Sequence, residues 1–237
     1  MRLRHDLDVA GTHLRVSALH ELQYRVNFWL QLLESVVALA TAIAVVALVF
    51  SNTDELAGWS LDELLVILGI HVALGGVIRA VVQPNMMRLV EDVKEGTFDF
   101  VLLQPADALL LTSVRQLALW KLVDVVVGLG VVGYAAAQPG VELSAWGVLG
   151  GVLLIAAGAV IVWCFWVALT VSSFWIIRAD TIVELFSGLY QAGRWPVSIY
   201  PVALRAAFTV LVPLAFAVTV PAEAVTGRLA LTGFAVA

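Results

Sequence analysis

The stretch P-N-M-M-R-L-V-E-D-V-K-E-G-T-F-D-F-V-L-L-Q-P-A-D, from Pro84 to Asp107, is a polar island in an otherwise apolar chain. Met86, Val90 and Val93 recur at helical spacing with Leu89 beside them, while Arg88, Glu91, Asp92, Lys94 and Glu95 take the remaining surface. The pattern predicts an amphipathic helix. Gly96 suits its stop, and Phe98-Asp99-Phe100-Val101-Leu102-Leu103 begins a second apolar patch that ends at Pro105. Such a segment can lie at a membrane interface and offer a face to a soluble partner.

Outward from this island the composition decides the class. The chain is 62% hydrophobic and 13% charged, with a mean hydropathy of +0.99; a soluble domain would carry far more charge on its surface. A spanning helix needs about 20 apolar residues, so the chain accommodates roughly five or six spans. The long unbroken Val/Leu/Ala runs lack the alternation of barrel strands. The expected fold is an all-α integral membrane bundle forming one domain in the lipid bilayer. A net charge of −5 and the absence of a basic tract argue against nucleic acid as a partner. The single cysteine, Cys164, lies in an apolar run and reads as a buried small hydrophobe. No cleavable signal is apparent ahead of the first apolar stretch.

Residues 1–27 carry Leu14, Ala18, Leu22 and Val26 on one helical face, which predicts an amphipathic surface helix. His13 and His20 on it read as a solvated face, since zinc needs further ligands. The first span runs from Phe28 to Phe50 and contains Glu34; the second starts at Leu61 or Leu64 and ends near Val82. In the second, Gly69, Ala73, Gly76 and Ala80 form a small-residue face suited to close helix contact, and His71 among them reads as packed. Residues 108–118 read as an interfacial approach to a third span over 119–137. There Lys121 and Asp124, three apart, can pair on one face, as part of a transport path or as a structural pair.

Gln138-Pro139-Gly140 is a turn, and a fourth span covers 145–177 with Gly147-x-x-x-Gly151 as a packing motif. Residues 181–201 are interrupted by Glu184, Gly188, Gly193, Arg194, Pro196 and Pro201, which predicts an amphipathic or re-entrant segment rather than a crossing. The fifth span is placed at 202–220; the run from 229 is too short to cross, so a sixth span is expected to be incomplete. Glu34, Lys121, Asp124 and Glu184 are the candidate pathway or intramembrane residues. With the N-terminus in the cytoplasm, all of the 13 Lys and Arg residues except Arg228 fall on the inner side, which puts 84–107 in the cytoplasm.

Catalytic motifs are absent: there is no H-E-x-x-H, no G-x-S-x-G and no Cys/His cluster. Neither Lys94 nor Lys121 follows a glycine, so the chain has no phosphate-binding P-loop. The expected activity is therefore not enzymatic, with no cofactor, catalytic residue or metal site of its own.

Val93-x-x-Gly96-x-Phe98-Asp99-x-x-Leu102-Leu103-x-Pro105 resembles the signature loop of small bacterial ABC type-2 permeases. Tyr24-Arg25, Trp195-Pro196-x-x-Ile199-Tyr200-Pro201, Pro213 and Pro221-Ala222 are similar to other parts of that family. The resemblance implies a six-span subunit of the bacterial inner membrane that works with a separate P-loop ATP-binding subunit, where ATP and Mg²⁺ reside. It also implies a second permease subunit, as homodimer or paired permease, and an ATP-driven exporter. Within it 84–107 becomes the coupling segment, with Arg88, Leu89, Val93, Gly96, Phe98 and Asp99 as the ATPase-coupling interface. The residues alone leave open an ATP-independent transporter or channel, or a membrane scaffold.

Overall fold

The computed structural model describes residues 2–104, 106–138, 145–172, 179–212 and 214–228. Among them there is no strand, only a backbone pairing of Leu56 with Trp59. The helices are α1 (Arg2–Leu22), α2 (Arg25–Phe50), α3 (Leu61–Val77), α4 (Gln83–Glu95), α5 (Phe98–Leu102), α6 (Ala108–Val114), α7 (Leu122–Ala136), α8 (Ala145–Ser172), α9 (Ala179–Ala192), α10 (Val202–Ala206) and α11 (Val220–Val225). Among the described residues, four helical stretches are long and apolar enough to cross a membrane, and the bent pair Val202–Val210 and Ala215–Val225 makes a fifth if taken as one span. The chain is an all-α polytopic membrane protein.

α3 is the axis of the bundle. Its apolar window is 78% buried, against 11% for α2, and it packs on α2, α7, α8 and α11. Ser60 opens it with a capping box: the Glu63 amide donates to the Ser60 hydroxyl and the Ser60 amide to the Glu63 carboxylate. The expected small-residue face lies against α7. A Cβ placed on Gly69 would come 2.8 Å from the Gly128 carbonyl oxygen, a separation only glycine permits. On α8 the close contacts come from Gly151 against Val225 and Gly158 against the Ala217 backbone. The lipid-type surfaces of α2 and α8 stay apolar and exposed, and Cys164 is exposed on α8 rather than buried as its apolar run suggested.

The second span does not stop near Val82. A π-helical turn, Ile78–Val82, joins α3 to α4, and the whole helix Leu61–Glu95 has 35 residues. At 1.5 Å per residue that is about 52 Å, well beyond a hydrocarbon core of about 30 Å. The helix therefore protrudes at one end. Pro84 explains the wide turn: it lacks an N–H and its ring crowds the carbonyl four residues back, and a π turn relieves that conflict. Pro221 follows the π turn Ala215–Thr219 at the same offset.

The C-terminal half also departs from the sequence reading. α9 sets Tyr190 against His71 in the middle of α3, and Ser198 then reaches Trp59 at the start of α3, accepting from Nε1 at 3.2 Å. Residues 181–192 lie in α9, an amphipathic helix as the sequence reading allowed, and it is not among the stretches long and apolar enough to cross a membrane. The folding back happens later: Leu214 returns to Gly193, and Val225 and Arg228 come back to the Trp59 end, through a bend of 76°. Arg205 donates to the Ser198 carbonyl at 2.9 Å, so it sits with Arg228 at the Trp59 end rather than at the α5 end. Pro105, Pro139, Gly140, Pro213, residues 173–177 and the run from 229, each read above from the sequence, lie outside the described residues.

Candidate functional site

The protruding end is built by satisfying backbone groups that Pro84 and a non-helical linker leave open. With no N–H at Pro84, the Ala80 carbonyl accepts instead from the Ala118 amide at 2.9 Å. Asn85, 1% exposed, donates to the Val81 and Gln116 carbonyls and accepts from the Gln116 amide at 2.8 Å. Ser17 of α1 accepts from the Leu117 amide at 2.8 Å, and Trp120 Nε1 donates to the Glu21 carbonyl. The linker between α6 and α7 is thereby pinned to α4 on one side and α1 on the other.

Asp92 is the second anchor. Its side chain is 3% exposed and receives Arg115 at 2.6 Å and Arg88 at 3.1 Å. The Thr97 amide donates to the Asp92 carbonyl at 2.8 Å. Gly96 ends α4 in the left-handed conformation at φ 70°, which reverses the chain into α5. Leu103 is 79% exposed, Phe100 68% and Leu102 55%, whereas Val101 is buried. The result is a tip bonded at its base to Asp92, with an apolar outer surface.

The sequence-derived interface residues divide across this geometry. Asp99 is exposed on α5 and Phe98 half-buried beside it; Gly96 shapes the turn. Arg88 is engaged by Glu91 and Asp92. Val93 is half-buried, but Leu89, Met86 and Val90 are buried, because α4 continues the span and packs its apolar face on α6 and α8. That face is used within the chain. The outward apolar surface belongs to Phe100, Leu102 and Leu103.

A second cluster lies between α2, α3, α7 and α9. Lys121 and Asp124 do not pair with each other: Lys121 reaches Glu34 at 3.1 Å, and Asp124 reaches Arg79 at 2.8 Å. Two residues of α2 complete the Asp124 shell, Ser35 through its hydroxyl and Gln31 through its amide at 3.3 Å. The shell borders an open cavity of about 400 Å³, which also touches His71, Gln191 and Arg194. Glu184 is exposed on α9 and does not line it. Among the described residues no group of His, Cys, Asp or Glu could hold a metal ion.

A family model described as ABC-2 family transporter protein matches residues 36–237. The chain belongs to this family. Comparison with curated proteins and with solved structures found no match. The protein is thus a permease of an ABC transporter, a multi-pass transport subunit of a family that implies association with an ATP-binding subunit. In this ABC-2 permease the match leaves out α1 and the first turns of α2, the part that clamps the linker through Ser17. Arg79, Ser35, Gln31 and Arg194 are the cluster residues that sequence reasoning passed over. The signal was present for Arg79: an arginine inside an apolar span invites the same question as Glu34.

Proposed function

We propose that this permease is the membrane half of an ATP-driven exporter and that α5 is the element through which a separate P-loop ATPase drives it. The observation that carries this reading is the tip itself: Phe100, Leu102 and Leu103 stand exposed on a short helix whose base is fixed by Asp92 and Arg115. An apolar knob with Asp99 and the Arg88–Glu91 pair around it suits a groove with a polar rim on a soluble partner. Force applied to α5 passes directly into the helix Leu61–Glu95, the most buried element of the bundle. ATP and Mg²⁺ belong to that partner. A second permease copy completes the pathway, and the α5 end with residues 1–27 faces the cytoplasm of a bacterial inner membrane.

The reading is tested by measuring ATP hydrolysis of the partner ATPase alone and with this chain in nanodiscs. Several-fold stimulation by the chain is expected, and an unchanged rate would overturn the coupling. The ion-paired cluster around Asp124 also suits an ATP-independent path; ion gradients alone driving flux in purified vesicles would favour that reading.

A further inference from the structure

Arg194 is a cation without a carboxylate. It follows α9 at the level of His71, is exposed toward the cavity it lines, and lies 5.9 Å from the Trp195 ring, with no acidic partner among the described residues. Two acids line the cavity, and both are engaged: Glu34 by Lys121, and Asp124 by Arg79, Ser35 and Gln31. An uncompensated charge at membrane depth is costly and calls for a counter-charge.

We propose that this cavity binds a phosphate-bearing anion, with Arg194 as its principal ligand. The inference rests on the permease reading, which sets the cavity within the membrane, and it names a ligand class for that subunit. Arg194 brings five N–H donors in a planar fork, Gln191 adds an exposed amide, and the Arg79 side chain remains 36% exposed beyond its bond to Asp124. That donor set exceeds what a carboxylate uses and matches a phosphate with several free oxygens. His71, 7% exposed, borders the same space with an Nδ1 that finds no partner. Leu39, Leu68 and Val72 add apolar surface to the same lining. At about 400 Å³ the space falls within the range of small-ligand sites. A lipid headgroup with its chains along the apolar surface and a free phosphate ion share this chemistry.

The test uses the full chain with its ATPase in nanodiscs of equal parts phosphatidylglycerol and phosphatidylcholine, with retained lipid read by native mass spectrometry. A parallel arm measures labelled inorganic phosphate by equilibrium dialysis. The expected result is a phosphatidylglycerol preference that falls about tenfold in Arg194→Gln, is partly kept in Arg194→Lys, and is unchanged in Arg205→Gln. Arg194-dependent binding in the phosphate arm alone assigns the site to a free anion. Equal retention of the two lipids with no phosphate binding, or binding that survives Arg194→Gln, overturns the proposal. Should the ATPase fail to associate while Arg194-dependent binding persists, the coupling reading falls and the anion site stands; the reverse outcome removes the site and keeps the coupling.

Discussion

The Arg79 guanidinium meets the Asp124 carboxylate at 2.8 Å, joining the π turn below α3 to the first turn of α7. The carboxylate side chain is only 7% exposed, and Ser35 and Gln31 of α2 donate to the same group. Three helices therefore meet on one charge. Removing one partner leaves the other charged and poorly solvated, which is costlier than removing both. Asp124→Ala is expected to destabilise the detergent-solubilised chain by about 3 kcal/mol, the low end for a broken buried pair because Arg79 is partly open. The double variant Arg79→Met/Asp124→Leu should recover much of that loss in thermal melts. A double variant less stable than either single would contradict the pairing.

The α3–α7 contact depends on glycine at Gly69 and Gly128. Gly128→Val places side-chain atoms where the Ala73 backbone sits, and overpacking of this kind costs about 1–3 kcal/mol. Gly130, two residues along the same helix, has open space around it, so Gly130→Ala should be neutral or stabilise by up to about 1 kcal/mol through helix propensity. Melting temperatures of the two variants side by side check the assignment of faces on α7.

Asn85 answers both backbone groups of Gln116. Asn85→Leu keeps the branched shape but takes the side-chain partner from the part-buried amide and carbonyl of Gln116, at about 0.5–1.5 kcal/mol for each hydrogen bond lost. Hydrogen exchange across residues 115–118 should accelerate by tenfold or more in the variant. Exchange as slow as in the wild type would mean that the linker is held by Ser17 and Ala80 alone.

Asp92 fixes the base of α5 through Arg115 at 2.6 Å. Arg115→Met is expected to raise amide exchange in residues 96–103 about tenfold, equal to about 1.4 kcal/mol of local stability. The spans should stay protected. Stimulation of the partner ATPase should fall in the same variant, because a loosened tip no longer transmits displacement to the helix Leu61–Glu95.

Much of this architecture was legible in the sequence because it follows from local rules. The apolar runs mark the long helices, Gly96 marks the turn, and the Gly69/Ala73/Gly76 spacing marks a close-contact face whose partner, α7, only the structure supplies. What escaped was set by partners distant in the chain. Pro84 reads as a helix boundary, yet the π turn and Ala118 let the helix continue through it. The same continuity buries Leu89 and transfers the outward apolar surface to Phe100 and Leu103. Lys121 and Asp124 look like a local pair but find Glu34 and Arg79 at closer geometry across the bundle. Counting spans places Arg205 on the inner side, and the reversal between Gly193 and Val225 moves it to the Trp59 end.

Co-purification tests the central claim most directly. The tagged chain, extracted gently from its native membrane, is compared with Phe100→Asp/Leu103→Asp, which alters only exposed side chains at the tip. Recovery of a P-loop ATPase with the wild type, lost with a variant that stays monodisperse, is the predicted result. Undiminished recovery with the variant would contradict docking through α5.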